Sequence, residues 1–579
     1  MTSRSTALLA LLVGALSISG CRCASGDNRR TGDDPGAGGG AQGDPTGEED
    51  PWVAGDLEAQ MPADGEPRQG GQIVFQLYTE PPSLNTIVDS DLWATHLTIH
   101  HIYETLLGRD PYDDPDYAFG PELAERWEVS DDNKVFTFHL RRGVKFHDGH
   151  DFTSRDVIAT FDKLADDDVR AAHLRSYTEA LERWEALDEH TVRFTWREPY
   201  FLALDNPFAS VPIHPAHVIA DMSGADYNEA ATNPLNRHPI GTGPWKFVEW
   251  DSNEKIVVAR NADYWSRPPY LDRIVFRIVK EEAIGLQLAE RGELDVVTRL
   301  RSESWDGMDS AALRERYFRS KAFDNNYAWI GWNNARPFFA DPQVRRAMTM
   351  LVDVPSIISR LQYGLPRPTT CHFYWASRAC PDLEPIAYDP PAAAELLEQR
   401  GWTDSDGDGI RDKDGVDFEF TFMIPAASED AARMGTKMKE DMERAGIELN
   451  LQRVEWSAFV RRLRDHDFDS CTLLWGDTSP EGDPAQIWGS ASIEGGSNYI
   501  SFRNERVDEI ITQARTMFDT EQRDALYREL GEILYAEQPY TWLYTRPRLS
   551  LVSRRIRGAR ESLMFWQYED FWLAEDEGS

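Results

Sequence analysis

The sequence has few cysteines for its length and lacks the short motifs of common metal and nucleotide sites. Five of the 579 residues are cysteines, and no Cys-x-x-Cys pair occurs, which excludes a zinc ribbon and a thioredoxin-like redox site. No Gly-x-x-x-x-Gly-Lys-Ser/Thr loop is present, so a Walker A site is excluded. His-Glu-x-x-His and Gly-x-Ser-x-Gly motifs are also missing. We therefore predict no enzymatic centre, no metal site and no cofactor.

Basic residues are scarce relative to acidic ones. The chain has 61 Lys and Arg against 99 Asp and Glu, a net charge of −38. A surface this acidic repels a phosphate backbone, so we predict no nucleic-acid partner. The 41% hydrophobic and 11% aromatic content is enough to bury a sizeable core, and the length is typical of two or three domains.

Long apolar runs are missing as well, except near the N-terminus. The run from Ala7 to Leu16 is too short to cross a bilayer and is followed by small residues, as in a secretory signal. Its ending, Ile18-Ser19-Gly20-Cys21, resembles the bacterial lipobox, in which the cysteine is acylated. We predict a lipoprotein signal peptide over residues 1–20 and a lipid anchor on Cys21; the alternative is an ordinary signal peptide that happens to contain a cysteine.

Residues 21–69 have the composition of an unfolded tether. They are rich in Gly, Asp, Glu and Pro and cannot bury enough apolar area to fold. Of the cysteines beyond the tether, Cys371 and Cys380 close a short loop and could form a disulfide in an oxidising compartment. Cys471 precedes an apolar strand and is predicted to be a free core thiol.

The stretch VFTFHLRRGVKFHDGHDFTSRDVIATF, residues 135–161, contains two closely spaced histidines. Phe136, Phe138 and Leu140 alternate as in a half-buried strand, and a second strand is predicted to begin at Val144. A capping box of Thr153 and Asp156 predicts a helix after it. His147 and His150 then flank a tight turn. Zinc would require a third ligand, so we predict a structural role and keep a metal site as the alternative.

Further along, two helices are clearly predicted. In residues 519–539, Asp519 can cap a helix that ends before Pro539, with four apolar side chains on one face. In residues 428–446, Met434, Met438 and Met442 lie one turn apart, which favours a buried helix face over a sticky peptide surface. A strand is predicted from residue 72. Strands and helices alternate along the chain, which favours an α/β architecture.

The segment LRRGVKFHDGHDFTSRDV, residues 140–157, resembles the signature of the family 5 extracytoplasmic solute-binding proteins, which are the peptide, dipeptide and nickel binders of ABC importers. The resemblance extends in order from about residue 70 to residue 560. Further similar blocks are PPSLN at 81–85, PIGTGPWKFVEW at 239–250, ADPQVRRAMTMLVD at 340–353, YDPPAAAELLEQRGW at 388–402 and SNYISFRNERVDEIITQAR at 497–515. The chain departs from the family's pattern at Asp353-Val354 and in the aromatic stretch HFYWASRAC beginning at His372.

The resemblance implies a two-lobed α/β periplasmic-binding-protein fold of the cluster C type, with a hinge between the lobes and an extra third domain. In this arrangement closure about the hinge buries the solute. The predicted divisions are 70–110 for the first segment of lobe I, 111–235 for domain II, 236–300 for the second segment of lobe I, 301–539 for lobe III and 540–579 for the C-terminal segment of lobe I.

The resemblance also indicates candidate ligand-binding residues. The segment 473–488 resembles the stretch that carries the acid for a peptide's N-terminal ammonium, which suggests Asp477, with Trp475 as an adjacent wall and Asp483 as second choice. The alternative is that Asp477 caps a loop. Further wall candidates, each of which could equally be a turn or core residue, are Asn498, Tyr499, Tyr78, Trp93 and Trp332.

Residues 404–415 match a portion of a calcium-binding loop. Asp404, Asp406 and Asp408 take the first three ligand positions of an EF-hand, but Gly415 replaces the bidentate glutamate. A solvated hairpin is the default interpretation, with calcium as the alternative.

Taken together, these features predict a monomeric, lipid-anchored receptor on the periplasmic side of a bacterial envelope. It would capture di- or oligopeptides and deliver them to a permease with its ATPases, and would catalyse no reaction. Two alternatives stay open: an anchored secreted hydrolase, and a receptor for another solute such as a nickel chelate or an oligosaccharide.

Overall fold

The computed structural model describes residues 61, 65–113, 116–178, 180–476, 481–563 and 566–575. The predicted signal peptide, the lipid-anchor residue Cys21 and most of the predicted tether lie outside these ranges. No helix in these ranges combines the length and apolar character that a bilayer crossing needs.

Lobe I is built on a seven-stranded mixed sheet. The strand Gln72–Leu77, which the sequence predicts, lies near the middle of this sheet and pairs in parallel with the strand Arg273–Ile278. Buried Ile73 and Phe75 point this strand's apolar face into the core. Across the sheet, the strands are Tyr317–Phe323, Pro547–Ser553, Val296–Val297, Gln72–Leu77, Arg273–Ile278, Lys255–Arg260 and Trp245–Asp251. The helices packed with this sheet are Leu92–Thr98, Glu282–Glu290, Ser302–Asp306 and Ala311–Arg316.

Domain II is a four-stranded antiparallel sheet with short helices over one face. The strands, in order across the sheet, are Ala124–Val129, Val135–Leu140, Thr191–Trp196 and Leu181–Asp188. The helices are Ser154–Ala165, Ala172–Thr178, Ala216–Ile219 and Gly224–Asn228, with 3₁₀ turns at Phe201–Ala203 and Pro234–Asn236. The core between the layers is aromatic, because Phe138, Phe161, Phe194 and Phe208 pack around one another.

Lobe III contains a six-stranded mixed sheet. Its strands, in order, are Arg367–Pro368, Tyr540–Thr545, Asn326–Trp332, Ser470–Gly476, Glu419–Pro425 and Glu448–Val454. Its helices are Pro342–Met350, Val354–Ser356, Pro390–Gln399, Glu429–Arg444, Trp456–Arg464, Ala485–Trp488, Glu505–Ala514 and Thr520–Glu537, with a π-helical turn at Ile357–Leu361 and 3₁₀ turns at Pro337–Phe339 and Ser490–Ile493. Short two-stranded ribbons complete the fold at Leu107–Arg109 with Phe119–Pro121, Asp412–Lys413 with Val416–Asp417, and Ile556–Arg557 with Trp572–Leu573.

Two neighbouring segments join the sheets of lobe I and lobe III. The strand Tyr317–Phe323 of lobe I continues through residues 324 and 325 into lobe III, and the chain returns through Arg546. The side chain of Asn326 ties the two crossings together: its Nδ2 donates to the Arg546 carbonyl at 3.0 Å, and its Oδ1 accepts from the Arg546 amide at 2.8 Å. We call these two segments the hinge.

The sheets place two strands differently from the predicted divisions. The predicted boundary at 300/301 assigns residues 317–323 to lobe III, but they pair with residues 547–553 in the lobe I sheet. The boundary at 539/540 assigns residues 540–545 to lobe I, but they pair with the strand Asn326–Trp332 in lobe III. Each of these two strands adjoins one crossing of the hinge. Within its own sheet it pairs with the strand that adjoins the other crossing. The other predicted domain boundaries stay predictions.

Local features of the sequence are largely confirmed. Thr153 caps the helix Ser154–Ala165, and Asp156 completes the capping box. Asp519 caps Thr520–Glu537, and the three methionines of Glu429–Arg444 are all buried. The second strand predicted from Val144 is wrong. Only an isolated bridge between Lys145 and Asp151 forms, because the chain turns back at once.

The cysteines follow the sequence interpretation, and the acidic loop includes the predicted hairpin. Cys371 and Cys380 form a disulfide, and Cys471 is a buried free thiol. The loop at 404–415 leads into the Asp412–Lys413 hairpin. In this loop Asp404 accepts backbone hydrogen bonds from Gly407 and Gly409. The calcium alternative stays a prediction, because Asp404, Asp406 and Asp408 bring carboxylate oxygens within 4.8 Å of one another.

A buried carboxyl, Glu104, lies where domain II meets lobe I. The Tyr264 hydroxyl donates to its Oε1 at 2.7 Å and the Trp265 indole donates at 3.0 Å. Burial, and then the nearby Glu122 carboxylate, raise its pKa from the ordinary 4.5 to about 7. The folded state therefore holds this proton more tightly than the unfolded chain.

We expect this carboxyl to make the protein less stable as the pH rises from about 4.5 to about 7, because ionisation is disfavoured only in the folded state. Glu104→Gln removes the ionisation and should lift the free energy of unfolding at pH 8 by about 3 kcal/mol relative to its effect at pH 4. Urea midpoints at the two pH values test this. The exposed Glu125→Gln is the matched control. A Glu104 variant with the parent's pH dependence would contradict the assignment.

Candidate functional site

A cavity of about 1390 Å³ lies where lobe I, domain II and lobe III meet. All three units contribute to its wall. Examples are Thr95 and Leu300 from lobe I, Leu174 and Tyr200 from domain II, and Phe373 and Trp475 from lobe III. Both hinge crossings also border it, through Asn326 and Arg546. Because the wall comes from both sides of the hinge, a rotation of the lobes opens or closes this cavity.

The lobe III wall has a rigid aromatic base. Trp475 is the second-last residue of the strand Ser470–Gly476, lines the cavity and is only 5% exposed. Its ring lies nearly parallel to those of Trp329 and Tyr499, with centroids 5.9 and 6.1 Å away. Its indole Nε1 donates to the Tyr540 hydroxyl at 3.4 Å. Trp475 is therefore held as a flat apolar surface beside the ligand space.

Asp483 also lines the cavity, but it already has partners. Its Oδ2 is 2.9 Å from Arg515 Nε and accepts from the Tyr200 hydroxyl at 3.3 Å, while its Oδ1 accepts from the Ala485 amide at 3.0 Å. Burial opposes the charge on Arg515, but Asp483, together with Tyr200 and Glu198, outweighs it and raises the pKa of Arg515. Tyr200 belongs to domain II and Arg515 to lobe III. Asp483 therefore links lobe III to domain II through Tyr200, and Arg515 balances its negative charge.

The first-choice anchor, Asp477, lies outside the described residues, directly after the strand that ends beside Trp475. The amide of Asn498 faces backbone instead of the cavity. Its Nδ2 donates to the carbonyls of Gly489 and Phe502, and its Oδ1 accepts from the Phe502 amide. Tyr499 packs behind Trp475. Neither Asn498 nor Tyr499 belongs to the cavity wall.

The three aromatic residues proposed as wall candidates pack into the cores. Tyr78 and Trp93 pack together in lobe I, with ring centroids 6.4 Å apart. Trp332 is fully buried in lobe III, where its indole donates to Thr541 Oγ1 at 3.0 Å. None of the three borders the cavity. All three lie in or next to buried strands and helices, so packing in the core accounts for their aromatic side chains.

His372 is a cavity residue that the sequence interpretation missed. It lies in the loop closed by the Cys371–Cys380 disulfide and is 9% exposed. Both of its ring nitrogens lack a hydrogen-bond partner among the described residues. Burial lowers the pKa of His372 to about 3, so the ring is neutral and offers one donor and one acceptor. The family-atypical stretch beginning at His372 was the only indication of it in the sequence.

The arginines of the cavity wall are paired with carboxylates. The pairs across or beside the cavity are Arg301 with Glu282, Arg433 with Glu303, Arg546 with Asp430, Arg515 with Asp483 and Arg548 with Asp324. The pair of Arg433 and Glu303, at 2.6 Å, joins lobe III to lobe I. The wall also contains Arg299, 3.8 Å from Asp324, and the Glu455 carboxylate, which caps the helix Trp456–Arg464. Between these charged groups the described wall offers apolar surface and neutral hydrogen-bonding groups. Such a surface is suited to holding an extended ligand.

Both the sequence and the fold of this chain are similar to those of known proteins. A sequence model described as "Bacterial extracellular solute-binding proteins, family 5 Middle" matches residues 118–495. The oligopeptide-binding protein AppA of Bacillus subtilis is 27% identical over 532 residues, which cover 88% of this chain and 93% of AppA. The solved structure of that protein in complex with a nonapeptide superposes with a TM-score of 0.71, covering 88% of this chain and 100% of AppA. The predicted fold class is thereby confirmed.

Two further relatives differ in what their names say they bind. Di/tripeptide-binding protein 2 of Pseudomonas aeruginosa is 30% identical over 476 residues, which cover 77% of this chain and 84% of the relative. Heme-binding protein A of Haemophilus influenzae is 26% identical over 471 residues, which cover 76% of this chain and 82% of the relative.

Proposed function

The chain belongs to family 5 of the bacterial extracellular solute-binding proteins, and from that membership we propose that it captures peptides and delivers them to a membrane permease. Members of this family are the non-enzymatic, substrate-binding components of ABC transporters. The open question is the solute. The proposal here is a short peptide, held in the cavity between the lobes.

The size and position of the cavity carry this proposal. At about 1390 Å³ it exceeds the roughly 300–1,000 Å³ that is usual for small-molecule sites, and so has room for several amino-acid residues. Its wall of neutral hydrogen-bonding groups and aromatic surface suits a peptide backbone with varied side chains. Two of the relatives described above carry peptide-binding names, one of them with a nonapeptide in its solved structure, which supports the same class of ligand.

We further propose that Asp477 pairs with the peptide's N-terminal ammonium. It follows directly on the strand whose end, at Trp475 and Gly476, borders the cavity. Asp483, the other candidate, has its charge compensated by Arg515. A carboxylate paired with an ammonium in a closed, desolvated cleft makes a charge-assisted bond, which is stronger than a neutral one.

The surroundings of the receptor also belong to the proposal. A lipid on Cys21 and the tether up to residue 69 would hold the binding lobes on the periplasmic side of the envelope. A monomer on such a tether would present its closed form to the permease, whose ATPase subunits are separate chains.

A thermal-shift titration of the purified protein tests the solute class. A ligand that binds only the folded state raises the unfolding midpoint with its concentration and affinity. We expect pools of di- to hexapeptides to raise it, and N-acetylated pools to fail. Asp477→Asn should abolish the difference between the two pools. A shift with heme or nickel–histidine but none with peptides would overturn the proposal.

A shift that is equal for free and acetylated peptides would keep the peptide class and remove Asp477 from its role. The matched variant Asp483→Asn separates the two acids, because it alters the tie between domains instead of the proposed anchor.

We expect His372→Phe to weaken peptide binding about tenfold without destabilising the protein. The substitution keeps a ring of similar shape and removes an imidazole whose nitrogens have no partner among the described residues, so stability is unchanged or higher. A hydrogen bond lost from the ligand accounts for a weakening of about this size. Isothermal titration with one bound peptide measures it. His238→Phe, at an exposed histidine away from the cavity, should bind as the parent does, and equal affinity in both variants would contradict the role of His372.

A further inference from the structure

Domain II carries a cluster of two imidazoles and a carboxylate on its surface, apart from the ligand cavity. Asp148 and His150 belong to the tight turn after the family signature strand, and His217 comes from the short helix Ala216–Ile219. One ligand atom from each of the three side chains lies within 4.8 Å of the others. From this geometry we propose that Asp148, His150 and His217 bind a divalent transition-metal ion of the Zn²⁺ type.

The carboxylate of Asp148 contacts a nitrogen at the edge of each ring. Asp148 Oδ2 is 2.7 Å from His217 Nε2, and Asp148 Oδ1 is 3.1 Å from His150 Nδ1. The two imidazole rings lie face to face, with centroids 3.8 Å apart and planes 22° from parallel. An ion taken up by the three groups replaces the two hydrogen bonds with coordinate bonds, and small rotations of exposed side chains suffice to direct the nitrogens at it.

The backbone that carries these groups is held in place by its own contacts. The His147 amide donates to the Gly241 carbonyl at 2.8 Å, and the His147 ring bonds the Gly243 carbonyl at 3.0 Å, which anchors the turn. Gly149 supplies the left-handed conformation, with φ of 94°, that brings Asp148 and His150 to the same side. His147 is thus a support and is not a ligand, although it is the first histidine of the motif.

The third ligand is positioned independently. Asp156 Oδ1 accepts from the amide of Ala216 at 2.7 Å and so fixes the start of the helix that bears His217. Phe146 packs edge-on against the His217 ring, with centroids 6.0 Å apart. A site whose ligands come from two separately anchored elements is largely preformed, which lowers the entropy lost on binding an ion.

The donor set selects the class of metal. Two imidazole nitrogens and one carboxylate are typical of Zn²⁺ and its neighbours in the first transition row, whereas Ca²⁺ and Mg²⁺ favour oxygen-only sites. Three protein ligands leave a fourth position for water, since all three side chains reach the surface. The bound ion would join the turn at 147–150 to the helix Ala216–Ile219 and stabilise domain II.

Titration of the untagged, chelator-treated full chain with ZnCl₂ tests the proposal. We expect the parent to bind one equivalent more than His217→Ala, and its unfolding midpoint to rise on binding. His150→Ala, at a ring that is 60% exposed and not needed for folding, should lose the same equivalent. His238→Ala is the matched control and should bind as the parent does. Peptide binding should be unchanged in all three variants, which separates this site from the solute cavity.

Equal zinc stoichiometry and affinity in the parent and in both His150→Ala and His217→Ala would overturn the proposal. Folding of each variant is checked by its circular dichroism and its melting curve in EDTA. If His217→Ala fails to fold, His150→Ala decides the matter alone. Zinc anomalous scattering from a crystal of the parent places the ion directly, and a peak elsewhere would also overturn it.

Discussion

Replacing Arg548 with methionine is expected to lower the free energy of unfolding by about 3–5 kcal/mol. The guanidinium is 1% exposed, and its Nη1 lies 2.7 Å from Asp324 Oδ1. Its Nη2 lies 3.5 Å from Glu561 Oε2, and that carboxylate is itself 6% exposed. Burial opposes the charge, but Asp324 and Glu561 outweigh it and raise the pKa of Arg548. Methionine fills the space, leaves the buried Glu561 carboxylate without this cation, and leaves Asp324 with Arg299 alone, 3.8 Å away.

A denaturation curve followed by tryptophan fluorescence measures this loss. The matched control is Arg126→Met, because Arg126 Nη1 is also 2.7 Å from its partner, Glu128 Oε1. There both side chains are more than half exposed, so solvent screens the pair and no measurable change is expected. Equal effects in the two variants would show that burial is not what makes Arg548 important.

Removing the disulfide by Cys371→Ala together with Cys380→Ala is expected to cost about 2–4 kcal/mol and to weaken peptide binding about tenfold. The bond closes a short loop, and its loss frees the unfolded chain. The loop also carries His372 and Phe373, which line the cavity, so its loosening adds an ordering cost to ligand binding.

Unfolding curves and peptide titrations of the double variant test both expected losses. A reductant provides the control: it should reproduce both losses in the parent and have no further effect on the variant. A variant that is destabilised but binds peptide as tightly as the parent would show that packing alone holds His372 in place.

Local structure was predictable because it depends on short spacings. The alternation of Phe136, Phe138 and Leu140 and the capping box at Thr153 involve residues within one element, and both are present in the fold. The exchange of the two hinge strands between sheets was not predictable. It depends on pairing between residues 317–323 and 547–553, which no local pattern records.

Only some of the site was predictable. Trp475 and Asp483 lie at the cavity because a motif of known order places them there. The compensation of Asp483 depends on Arg515 and on Tyr200 in another domain, so no spacing reveals it. Core residues such as Trp332 could not be told apart from wall residues by type alone, since core and cleft draw on the same aromatics. The metal cluster needed His217, which only the tertiary fold brings to the turn.

The paired crossings of the hinge restrict how the lobes can move. The two adjacent segments are joined by hydrogen bonds between the side chain of Asn326 and the backbone of Arg546. Such a pair bends most easily about one axis, which runs across both segments. Twisting and sliding would strain these two hydrogen bonds, so bending about this axis is the motion that they oppose least. The angle between the lobes about that axis then depends on the thickness of the ligand that lies between them. A partner protein that contacts both lobes would distinguish the occupied form from the empty form by this angle, without contacting the ligand.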